Sequence, residues 1–97
     1  MKPEHKALSE YYFKGKSISD AAKEAGFDEG KLVKLIKSID EKAVAILSEF
    51  YQNGGSLGFI AENYCLNRIH LYGYMHRNNY NANYDDEASK RKLISIQ

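Results

Sequence analysis

Apolar positions recur at helical spacing from near the N-terminus to about residue 79. Ala7, Leu8, Tyr11 and Tyr12 share one face of a helix predicted over about residues 4–14. Gly15-Lys16 ends it. Ser17 is a good N-cap, and Asp20 favours the same helix start. That second helix is predicted to run to Ala25, with Gly26 as a left-handed stop. Asp28 then caps a third, Glu29 to Ile39, with Leu32, Leu35, Ile36 and Ile39 turned inward. The order repeats. Asp40 is predicted to cap a helix carrying Ala43, Ile46, Leu47 and Phe50, and Asn53-Gly54-Gly55 makes the turn. Ser56 caps a short helix to Tyr64, and Asn67 caps a last one from Arg68 to about Asn79. The only proline is Pro3, and no stretch alternates with period two, so no sheet is expected.

The repetition is also literal. Shifted by 39 positions, Leu8, Ser9, Glu10, Tyr12, Gly15, Ser17, Ala22 and Leu32 fall on identical residues, and Phe27 falls on Leu66 and Ile36 on Met75. The expected fold is all-α: two tandem three-helix units of helix-turn-helix type, about six helices, plus a C-terminal tail. Residues 1–39 form the first unit, 40–79 the second and 80–97 the tail.

Composition narrows the functional classes. A chain of 97 residues leaves little room for an enzyme's pocket, and a net charge of +1 announces no polyanionic partner by itself. The longest apolar run, Ala43 to Leu47, is far below a membrane span. One cysteine excludes an internal disulfide and a multi-cysteine zinc site. His5, His70 and His76 lack the spacing and the carboxylate partner of a metal site. No catalytic residue, metal or cofactor is expected. With no signal core at the N-terminus, a reducing, cytoplasmic location is expected. A lone small thiol such as Cys65, between two helices, is expected to be core.

The stretch Ile60-Ala61-Glu62-Asn63-Tyr64-Cys65-Leu66-Asn67-Arg68-Ile69-His70-Leu71 resembles the helix-turn-helix pattern of DNA-binding proteins. Ala21 to Leu32 repeats it, with Ala22, Gly26, Phe27, Asp28 and Leu32 in the same places. The resemblance implies that Ala61 lies where two helices cross, Leu66 plugs the turn, Asn67 caps the recognition helix and Leu71 faces inward. Cys65 departs from it, standing where glycine is usual. A weaker likeness, carried by Glu10-Tyr11-Tyr12 and Ala21-Ala22-Lys23-Glu24-Ala25-Gly26-Phe27, is to the DNA-binding segment of phage terminase small subunits.

The resemblance implies that the second helix of the motif enters the major groove of double-stranded DNA. In the second unit that helix presents Asn67, Arg68, His70, Tyr72, His76 and Arg77, and no acid occurs from Cys65 through Asn83. Arg68 has the fork that grips guanine. In the first unit, Lys31, Lys34 and Lys37 form a basic stripe behind the acidic start Asp28-Glu29. The expected function is sequence-specific duplex binding by a small regulator of transcription or of mobile-element or phage DNA. A rival reading is a protein-interaction adaptor or inhibitor. The helix after Asp28 carries more apolar residues than one face buries, so Leu32, Val33 and Leu35 are candidates for meeting another protein or a second copy. Terminase-like recognition is a third reading. The tail reads as a short helix, a DNA-backbone arm, a dimerising segment or a disordered terminus.

Overall fold

The computed structural model describes residues 2–80, and their regular structure is entirely helical. It comprises α1 (Pro3–Tyr12), α2 (Ile18–Ala25), α3 (Glu29–Asn53), α4 (Leu57–Asn63) and α5 (Arg68–Arg77). The described residues divide into two compact units, the first ending at Ser38 and the second beginning at Ile39. The expectations for the tail beyond Tyr80 lie outside the described residues.

The helix count corrects the sequence reading, which ended one helix at Ile39 and opened another at Asp40. α3 instead continues for 25 residues. Ser38-Ile39-Asp40-Glu41 contains no glycine or proline, so nothing there releases the backbone from helical geometry. An Asp cap is worth about 1 kcal/mol. Ending a helix strips backbone donors and acceptors of their partners on both sides of the break, which costs more than one cap returns. The described residues therefore hold five helices where six were expected.

In the first unit α1 packs on α2. Pro3 sits in the first turn of α1, where its missing N–H costs nothing. Ala7, Leu8, Tyr12, Ala21, Ala22, Leu32 and Ile36 are buried. So is Glu10, whose side chain is only 6% exposed. Lys14 Nζ lies 3.0 Å from Glu10 Oε1 and Lys16 Nζ 2.7 Å from Oε2. Lys16 also reaches Glu24 of α2 at 3.4 Å. The hydrogen bonds from Lys16 and then Lys14 hold the Glu10 carboxyl below its ordinary value, outweighing desolvation. The bond to Glu10 raises Lys16 in turn. This cluster ties the end of α1 to α2.

In the second unit α4 packs on α5. Ile39, Ala43, Ile46, Leu47, Leu57, Ile60, Ala61, Leu66, Leu71, Tyr74 and Met75 are buried. Tyr80, assigned from the sequence to the tail, belongs to this core at 8% exposure. Asn79 turns left-handed at φ 60°. The Tyr80 N–H then reaches back to the Met75 carbonyl at 2.8 Å, and its ring lies 5.9 Å from that of Tyr74. Burial pushes both phenols up, and the nearby Asp40 charge opposes ionisation of Tyr74 further.

Candidate nucleic-acid interface

The turn before each candidate recognition segment has the same construction in both units. After α2, Gly26 is left-handed at φ 64°, and after α4, Cys65 is left-handed at φ 56°. The Phe27 N–H donates to the Ala22 carbonyl and the Leu66 N–H to the Ala61 carbonyl, both at 2.9 Å. The Gly26 N–H meets the Lys23 carbonyl at 3.2 Å, and the Cys65 N–H meets that of Glu62 at 3.0 Å. These are paired Schellman-type closures. Each following helix is capped by a side chain: Asp28 Oδ1 accepts from the Lys31 N–H at 2.9 Å, and Asn67 Oδ1 accepts from the Ile69 N–H at 2.8 Å. Ala61, Leu66 and Leu71 are buried.

The Cys65 side chain departs from the sequence reading. It is exposed. A left-handed residue at the outside of a tight turn carries its Cβ toward solvent, so the thiol does not reach the core.

On α5 the core side is set by Leu71, Tyr74 and Met75. The sequence-predicted residues divide around it. Tyr72 and His76, four apart, are exposed together with Ile69, whereas Arg68 stands at the edge of the core side, seven residues before the buried Met75. His70 and Arg77, seven apart, run along another flank and are half-buried. Asn67 is committed to capping. Tyr72 is 40% exposed and Ile69 62% exposed. The sequence reading missed Ile69: an isoleucine in an amphipathic pattern is counted as core until the helix phase is known.

Arg68 carries a second relationship that sequence reading missed. Its guanidinium lies over Gly58 of α4, so close that a Cβ on Gly58 would stand 2.7 Å from Arg68 Cζ. Its Nη2 lies 3.8 Å from Glu62 Oε1, with the Arg68 side chain 57% exposed. Gly58 is thus the slot that lets the arginine lie flat on α4. The i and i+4 placement of Gly58 and Glu62 was visible in the sequence, but not that Arg68 would fall across them.

On the first part of α3, Lys31, Lys34 and Lys37 are all exposed, and their three-residue spacing places them opposite the buried Leu32 and Ile36. The two acids at its start stand apart from this stripe. Asp28 is occupied as the cap, and Glu29 lies on the flank away from Lys31 and Lys34. Of the apolar trio expected to meet a partner, Leu32 is 0% exposed and is a core residue. Its place on the inner side of α3 removes it from any docking surface. Leu35 is half-buried beside a shallow hollow also lined by Glu4, Phe27, Lys31, Lys34 and Ser38. Val33 alone of the three is exposed, at 45%.

Among the described residues no three His, Cys, Asp or Glu side chains converge on a possible metal position. Among the same residues no helix is long and apolar enough to cross a membrane. Compared with family models, curated proteins and solved structures, the chain matches none.

Proposed function

We propose that this is a helix-turn-helix protein that binds double-stranded DNA, with α5 of the second unit in the major groove, and that the lysine stripe of the first unit is by itself suited to hold phosphate. The observation that carries this reading is the outward side of α5. A capped, left-handed turn sets the start of that helix, and the helix contains no acid. Ile69, Tyr72 and His76 are exposed along it, and Arg68, at its first position with a side chain 57% exposed, stands at the end by which such helices reach base edges. The three α3 lysines supply the sequence-independent attraction to the backbone. The role is that of a binding protein rather than an enzyme: a small cytoplasmic regulator of transcription or of mobile-element or phage DNA.

Selection of bound sequences from a random duplex pool, followed by titration of the best site at several salt concentrations, tests this. Enrichment of a defined site, with affinity falling as salt rises, supports it. No duplex affinity at low salt sinks it. The rival reading, a protein-interaction module, is favoured by the exposure of Phe59 (63%), Ile69 (62%) and Val33 (45%), and takes over in that event. A ring-like oligomer on DNA would favour the terminase-like variant.

A further inference from the structure

The outward side of α5 is unusual for a surface meant only to hold phosphate. Its first two turns place an isoleucine that is 62% exposed and a tyrosine that is 40% exposed beside Arg68. Backbone contacts need donors and positive charge, neither of which an isoleucine supplies. Arg68, the residue best suited to guanine, rests over Gly58 of α4 with its side chain 57% exposed, so it and Ile69 offer two different contacts at the same end of the helix. An apolar side chain at the start of a major-groove helix has one complementary feature in the duplex. That feature is the 5-methyl group of thymine, the only apolar group that a base edge displays there.

Resting on the duplex-binding reading above, we infer that α5 recognises thymine methyl groups through Ile69, with Tyr72 flanking it, so that its target is a thymine-containing site. The occupant also fits by charge. No acid lies on α5, and its last turn carries the basic residues His76 and Arg77, which suits a polyanion nearby. Contact between the Ile69 side chain and a methyl group removes both from water, and the methyl is worth about a fourfold gain in affinity.

The test alters the DNA rather than the protein. In the site found by selection, each thymine is replaced in turn by deoxyuracil, which keeps the base pair and removes only the methyl group. Parent protein should bind one or two of these duplexes about fourfold more weakly. Ile69→Ala should bind the thymine site more weakly yet show little further loss with deoxyuracil at that position, the non-additivity expected of groups in contact. Ile69 is exposed, so this variant should keep the parent's helical circular dichroism. Equal parent affinity for every thymine and deoxyuracil pair overturns the inference while leaving duplex binding intact. So does a selected site without thymine. So does a methyl effect that is undiminished in Ile69→Ala. Absence of any duplex binding overturns both the inference and the reading beneath it.

Discussion

Cys65 holds with φ 56° the same left-handed turn that Gly26 holds with φ 64°. The two residues stand 39 positions apart and close their helices with matching backbone bonds. A side chain in this region costs about 1–2 kcal/mol that glycine escapes. The exposed thiol returns no burial to offset it.

Cys65→Gly should therefore be stabilising. Glycine relieves the strain but adds freedom to the unfolded chain, so the net gain should be about 0.5–1 kcal/mol. Urea unfolding of parent and variant under reducing conditions measures it. A loss of stability in the variant would show that the thiol contributes packing that its exposure denies.

Gly58→Ala tests the slot under Arg68. Alanine favours helix by about 1 kcal/mol over glycine. Its Cβ would collide with Arg68, but with the far end of a mobile side chain that can swing off α4. The fold should keep its stability to within about 1 kcal/mol, while Arg68 leaves Glu62. Unfolding midpoints, and the response of Arg68 side-chain NMR signals to Glu62→Gln in each background, check this. A destabilisation above about 2 kcal/mol would mean that backbone, and not the arginine, has to move.

The buried Glu10 makes stability pH-dependent. Its carboxyl is held below the ordinary 4.5 in the folded state, first by the bond from Lys16. Its contribution is present above the unfolded value and is lost as pH falls from 4.5 through the lowered folded value. Lys16 behaves oppositely. Raised above 10.5, it keeps its contribution through neutral pH and loses it as pH rises through that higher value. Thermal midpoints of parent and Glu10→Gln should differ at pH 7 and converge in acid. A gap that stays constant with pH would assign Glu10 a packing role alone.

Leu32→Ala and Val33→Ala separate core from surface on neighbouring residues. Leu32 is fully buried, so its truncation should cost about 2–5 kcal/mol. Val33 is 45% exposed, and its truncation should cost under about 1 kcal/mol. Denaturant titration gives both. Similar costs for the two would place the first unit's core elsewhere.

On a selected duplex, Arg68→Ala should cost about 1–3 kcal/mol and blunt discrimination at one base position. Lys34→Ala should weaken all sequences alike and lower the salt slope by about one unit. Parent-like binding by both variants would remove α5 and α3 from the interface.

The helix starts were legible in the sequence because they are local. Ser17, Asp28, Ser56 and Asn67 each cap the helix they were expected to cap, with an oxygen accepting from a backbone N–H two or three residues on. Capping needs only a short polar side chain at the right offset, so nothing distant can overrule it. The register of Gly15 with Gly54 and of Gly26 with Cys65 was likewise written in the repeat, and all four have positive φ. Asp40 was misread because a capping residue marks a helix start only if the preceding helix ends, and no breaker precedes it.

What tertiary structure decided concerns surfaces whose partners lie far along the chain. Helical spacing marks an apolar side but does not say which apolar residues outnumber the space beneath them. Packing buried Leu32 and left Val33, Ile69 and Phe59 outside. It drew Tyr80 out of an asparagine-rich loop onto Tyr74. It laid Arg68 across Gly58, whose missing Cβ could be valued only once α4 and α5 had been brought together. Local sequence fixes backbone choices through bonds a few residues long, whereas exposure is a property of the packed whole and is settled by which side chains compete for the same space.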